Sequence, residues 1–195
     1  MPRSSGFRLL FALAIAVAAS HPALAQPAQQ PPAATAPAAP VPAEEALKRG
    51  EAVYEQQNYA EALRWYRLAA DQGSPQAQVQ IGNLYTEGQG VAQDYGEAMG
   101  WFRKAAEQGN YEAQNNIGWF YLSGWGVTQD YGEAMRWFRL AADQGNEVAQ
   151  RNIAMMYVQG LGVGADKDEA IRWFKKAAAA GDDESKDALK QLGAE

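Results

Sequence analysis

The sequence predicts an all-α fold, a right-handed solenoid of helical hairpins. Three observations carry that reading. Gly73, Gly109, Gly145 and Gly181 stand 36 residues apart. Trp65, Trp101, Trp137 and Trp173 keep the same step, as do Tyr85, Tyr121 and Tyr157. Within each period, apolar residues recur twice at helical spacing, with glycine where each helix would stop. A fixed period in this range means repeated units, each burying its apolar face against the next.

The elements follow in order. Arg3 and Arg8 flank the start of an unbroken apolar run over 9–19, and Ala23-Leu24-Ala25 supplies an A-x-A site. Residues 1–25 are therefore expected to be a secretory signal segment cleaved after Ala25. The run is too short to span a bilayer, which needs about 20 apolar residues. Residues 26–43 hold six prolines and no charge, a tether composition rather than a core. The leading unit, 44–73, is the first stretch able to fold.

The unit 74–109 shows the design. Ser74 caps its first helix and Pro75 suits the first turn. Asn110, Asn146 and Asp182 occupy the same position later. Ala77, Ile81, Leu84 and Tyr85 share one face, and Gly88 ends the helix. The second helix opens on Asp94 and Glu97, a capping-box pattern repeated as Asp130/Glu133 and Asp166/Glu169. Ala98, Trp101, Phe102, Ala105 and Ala106 form its buried stripe, so the periodic tryptophans are expected in the core. Units 110–145 and 146–181 repeat the plan, and 182–195 reads as a polar-faced capping helix with a tail.

The pairing of Gly82-x-x-Tyr85 with Ala98-x-x-x-Phe102 resembles the tetratricopeptide pattern. Three features move the resemblance to the Sel-1-like repeat family. The period is 36, and the helices are joined by Gly88-Gln89-Gly90-Val91, Gly124-Trp125-Gly126-Val127 and Gly160-Leu161-Gly162-Val163. An A-x-x-x-I-G-x-x-Y motif precedes the first two connections, and D-Y-x-E-A-x-x-W-F-x-x-A-A follows them. The third unit departs from this, with Ala154 for the glycine and Ala165-Asp166-Lys167 for Q-D-Y. The leading unit spans 12 residues from Gly50 to Ala62, against 16 from Gly82 to Ala98, and resembles a plain tetratricopeptide unit. The expected architecture is one tetratricopeptide-like unit, three 36-residue Sel-1-like repeats and the capping helix. The resemblance implies an adaptor role, commonly in bacterial envelope assembly or signalling.

Composition excludes most chemistry. The chain carries 17 basic and 23 acidic residues, a net of −6. The first 25 residues hold two of the arginines and no acid, which leaves 15 against 23, a net of −8. Such acidity argues against nucleic acid or anionic lipid as partner. There is no cysteine, which excludes disulfides and a lipoprotein anchor, and the one histidine, His21, lies in the signal segment. Triads, thiol nucleophiles and the usual zinc sites are thus unavailable. No cofactor motif stands out, and no S-x-x-K begins at Ser74, Ser123 or Ser185. The repeated Asp/Glu pairs are read as caps, and the sequence points to no enzyme, metal or cofactor.

The remaining candidates lie where one unit departs from its neighbour. Trp119 stands where the preceding unit has Asn83, and Trp125 where it has Gln89. The position one past the helix glycine is Glu51, Asn83, Trp119 and Met155 in turn, and it is expected to face the concave groove. One turn earlier stand Asn115 and Arg151, and one turn later Leu122 and Val158. Trp119, Trp125, Met155, Asn115, Arg151, Leu122 and Asn83 are therefore the candidate partner-binding residues. Two accounts of the tryptophans stay open. As anchors they bind a partner. As packing residues, Trp119 leans on Met155 and Trp125 folds over its own loop. The functional reading is a periplasmic or secreted scaffold for a protein or peptide. In the rival reading the protein binds or processes cell-wall glycan, with the tryptophans stacked on sugar and Glu87 as acid.

Overall fold

The computed structural model describes residues 40–194. The signal segment and nearly all of the proline-rich stretch lie outside the described residues. Within them are nine α-helices and no strand. They are α1 (Ala43–Glu55), α2 (Tyr59–Ala70), α3 (Pro75–Glu87), α4 (Tyr95–Glu107), α5 (Tyr111–Ser123), α6 (Tyr131–Ala142), α7 (Glu147–Gln159), α8 (Lys167–Ala179) and α9 (Asp183–Leu192). The principal packing joins helices consecutive in the chain, the pairs α1–α2, α3–α4, α5–α6 and α7–α8 foremost. This is the hairpin solenoid that the period predicts.

Local chemistry sets the ends. Ser74, Asn110, Asn146 and Asp182 each accept a hydrogen bond from the backbone N–H three residues on, and so do Asp94, Asp130 and Asp166. The reciprocal half of the expected capping box is not made. The Asp94 N–H donates instead to the Tyr85 carbonyl at 3.0 Å, and Asp130 and Asp166 do the same to Tyr121 and Tyr157. That bond closes the seven-residue connection within each of these three hairpins. The glutamates freed by it turn outward, and Glu133 and Glu169 pair with Arg136 and Arg172.

The first three hairpins are each clamped at one close approach. A Cβ on Gly82 would lie 2.5 Å from the Phe102 ring, and one on Gly118 would lie 2.6 Å from Phe138. Gly50 sits beneath Tyr66 in the same way. These rings, with Phe174, are among the largest fully buried side chains. The periodic tryptophans are not. Trp65, Trp101, Trp137 and Trp173 are half-buried, which corrects the expectation that they are core. Trp101, Trp137 and Trp173 each pack against a core cluster that includes the second helix of the preceding unit, Trp137 on the cluster that holds Phe102 and Ala105. Their outer face carries a cation, Lys104 4.0 Å from the Trp101 ring and Arg136 4.6 Å from Trp137. The next residue in each case, Tyr66, Phe102, Phe138 or Phe174, is the true core position.

Units are tied together by two further devices. Arg67, Arg103 and Arg139 each donate to the tyrosine hydroxyl 18 residues on, Tyr85, Tyr121 and Tyr157. The second glycine of each connection, at positive φ, lies on the first turn of the preceding unit's second helix. A Cβ on Gly126 would stand 2.8 Å from the Tyr95 Cβ. Within hairpins, Gln78 accepts from Gln108 and Gln114 from Gln144. The corresponding bond is missing at Gln150, whose counterpart is Ala180, and its Oε1 is left without a partner.

The leading hairpin solves its turn differently. Only residues 56–58 join α1 to α2, and Gln57 adopts φ +60. A non-glycine residue there costs about 1 kcal/mol, and the short turn leaves no connection to reach toward a neighbour.

Candidate functional site

The first helices of successive units, α3, α5 and α7, place the candidate residues side by side. Trp119 sits on α5 one residue past Gly118, so the close glycine–phenylalanine contact fixes its height on the hairpin. It is 39% exposed, and its ring meets Phe138 edge-on, with centroids 6.2 Å apart. Trp125 is 40% exposed at the middle of its connection. It does not fold over its own loop alone. Its ring stacks on Tyr95 of the preceding unit at 5.4 Å and 11°, and meets Phe120 edge-on at 5.8 Å. Gly126 explains this, because it seats the connection directly against Tyr95.

The two tryptophans border one cavity of about 170 Å³, together with Asn83, Thr86 and Asn116. On its other side Trp119 borders a second cavity of about 210 Å³, lined by Leu122, Met155 and Leu161. Met155, 41% exposed, continues into a third of about 170 Å³ with Val158, Ala188 and Leu192. A fourth, more polar cavity of about 350 Å³ shares Asn83 and Asn116 with the first. Each cavity shares lining residues with the next, so the four follow one another as a trough across α3, α5, α7 and α9.

Five candidates meet in the apolar part: Asn83, Trp119, Trp125, Leu122 and Met155. Asn115 borders the polar cavity but is buried, and its Oδ1 accepts from Asn152 at 2.9 Å. The trough does not include Arg151. Its guanidinium pairs with Asp182, which also caps α9, and with Glu184 at 3.3 Å. Arg151 is a clamp for the last helix. Its partner stands 31 residues away in a segment read only as a cap, so the groove register alone could not show this.

Sequence reasoning missed Asn116, Tyr95 and the contribution of α9. Asn116 donates to the Asn83 Oδ1 at 3.3 Å, and this pair lines both the polar and the apolar cavity. Its signal was available, since Asn116 and Asn152 occupy the register where the earlier unit has Gln80. Glu87, the acid of the glycan reading, is exposed and lies outside the cavity beside the tryptophans. Among the described residues no cluster of acidic, His or Cys side chains has the geometry to hold a metal, and no helix is long and apolar enough to cross a membrane. The Tyr66 phenol is pushed well above its ordinary range by burial and by the nearby Glu51, but it lies in the leading core, far in sequence from the trough.

The comparisons with known proteins agree with this architecture. No curated protein matches the chain. A solved Sel1 repeat protein from Oxalobacter formigenes is 35% identical, with a TM-score of 0.72 over 76% of this chain and 62% of that one. The protective antigen c5321 of uropathogenic Escherichia coli, which displays an SLR fold, is also 35% identical, with a TM-score of 0.65 over 73% of this chain and 32% of that one. This chain therefore spans less than two thirds of either relative. The Helicobacter pylori cysteine rich protein B shares the fold at 16% identity and a TM-score of 0.50. The model of the Sel1 repeat matches residues 45–74, 75–110, 112–146 and 148–182. The first of these matches takes in the leading unit despite its short turn. The chain belongs to the Sel1 repeat family.

Proposed function

We propose that this protein is an exported, non-enzymatic scaffold that holds a protein or peptide partner along the concave face formed by its first helices. One observation carries the reading: exposed Trp119 and exposed Met155 each line two consecutive cavities, which sets large exposed apolar side chains next to one another along the row. Contiguous exposed apolar surface on a folded domain marks an interaction site. Rigid hairpins hold these side chains at fixed spacing, which lowers the ordering cost of binding. Export rests on the signal segment, and the acidic remainder suits neither nucleic acid nor anionic lipid. The test is site-specific photocrosslinking in envelope fractions. A photoreactive residue at Trp119 or Met155 should capture the same polypeptide, and one at the exposed Arg103 on α4 should not. In those fractions this chain itself should begin at Gln26 by mass. Equal capture from all three positions would remove the trough from the proposal.

A further inference from the structure

We infer that the partner is a peptide segment presenting bulky apolar side chains with a Lys or Arg within about three residues of them; this rests on the trough being the docking surface. The polar cavity is bordered by Tyr111, Glu112 and Glu147, and no Lys or Arg lines it. Among the described residues, neither glutamate makes an ion pair. The nearby Arg151 cannot neutralise them, because Asp182 and Glu184 hold it. Each acid stands in the first turn of its helix, where the helix dipole favours negative charge. The dipole accounts for each acid separately. It does not require two of them on one cavity that opens onto Asn83, Asn116 and then Trp119. The α3 first turn, on the other flank, carries no acid. The net charge of −8 beyond the first 25 residues adds a long-range field of the same sign.

The spacing follows from helix geometry. Glu112 and Trp119 are seven positions apart on α5, which is about 10 Å along the axis. An extended segment covers that distance in about three residues. The apolar side chains then enter the cavities flanking Trp119, and the cation enters the polar cavity. An acidic or uncharged apolar segment would fill the first part and leave two unneutralised carboxylates beside its backbone.

The test is selection of a random peptide library displayed on phage against the full chain, against Trp119→Asn, and against Glu112→Gln/Glu147→Gln. Wild type should enrich peptides with bulky apolar residues and a Lys or Arg within about three positions. The double glutamine variant should keep the apolar enrichment and lose the basic one. A synthetic peptide of the winning sequence should bind that variant about tenfold more weakly at low salt, with the gap closing at high salt. Apolar enrichment without a basic preference, or a basic preference that survives the double change, overturns the inference and leaves the docking surface standing. If wild type enriches nothing, or nothing that Trp119→Asn does not also enrich, the docking surface fails and the inference with it.

Discussion

Helices α3 and α5 are sister elements with one frame and two surfaces. Both start on a side-chain cap, both set a glycine under a phenylalanine ring, and both end on a left-handed glycine. They differ where the frame makes no demand. Asn83 accepts a hydrogen bond from the Asn116 side-chain amide, while Trp119 at the same register stands between two cavities. Gln89 accepts from the Tyr54 hydroxyl at 3.3 Å, while Trp125 stacks on Tyr95. The repeat therefore separates two jobs by position. Buried and capping positions build the unit, and the positions beside them carry what one unit has and another lacks.

The largest expected effect comes from breaking the shared frame. Phe138→Ala empties a fully buried ring site between α5 and α6 and should destabilise by about 3–5 kcal/mol. Because each unit leans mainly on its neighbours, the urea transition should also broaden or split. A melt that overlays wild type would mean that the ring is not the keystone of its hairpin. Next is Gly118→Ala. Its new methyl would stand 2.6 Å from Phe138, and overpacking of that kind costs about 1–3 kcal/mol. The fourth hairpin already carries Ala154 opposite Phe174, both buried. Ala154→Gly should therefore cost about 1–2 kcal/mol, the helix-propensity difference plus one buried methyl. Thermal melts of the two exchanges decide whether the glycine is a packing requirement or a habit of the repeat.

What was legible in the sequence follows the same division. Caps, helix order and hairpin count were legible because they depend on residues a few positions apart, such as Ser74 and Ala77. The partner of the Asp94 N–H was not, because it is a carbonyl on the preceding helix. Trp101 and Phe102 carry the same period, so period alone could not say which is core. The glycine opposite decides it, and that pairing is tertiary. In the site, Trp119, Trp125 and Met155 were legible because each departs from its neighbour in an otherwise constant frame. Arg151 departs too, yet its charge is spent on the last helix.

The smallest stability effects, and the sharpest comparison, come from giving α5 and its connection the side chains of the sister unit. Trp125→Gln removes a stacked and an edge-on ring contact, each worth about 0.5–1.5 kcal/mol beyond area, so it should cost about 1–3 kcal/mol. Trp119→Asn removes a single edge contact from a side chain already 39% exposed, and should cost about 0.5–1.5 kcal/mol. This order reverses the one that loop position alone suggests, because Gly126 presses the connection onto the neighbouring unit. Affinity should rank the other way. Trp119 walls two cavities and Trp125 one, so Trp119→Asn should weaken a bound peptide by about 2 kcal/mol or more, as hot-spot anchors do. Trp125→Gln should weaken it less. Urea melts and peptide titrations on the same two proteins test both rankings together. If Trp119→Asn melts earlier than Trp125→Gln and binds as wild type does, then Trp119 is a packing residue, and the difference between α3 and α5 reflects stability rather than recognition.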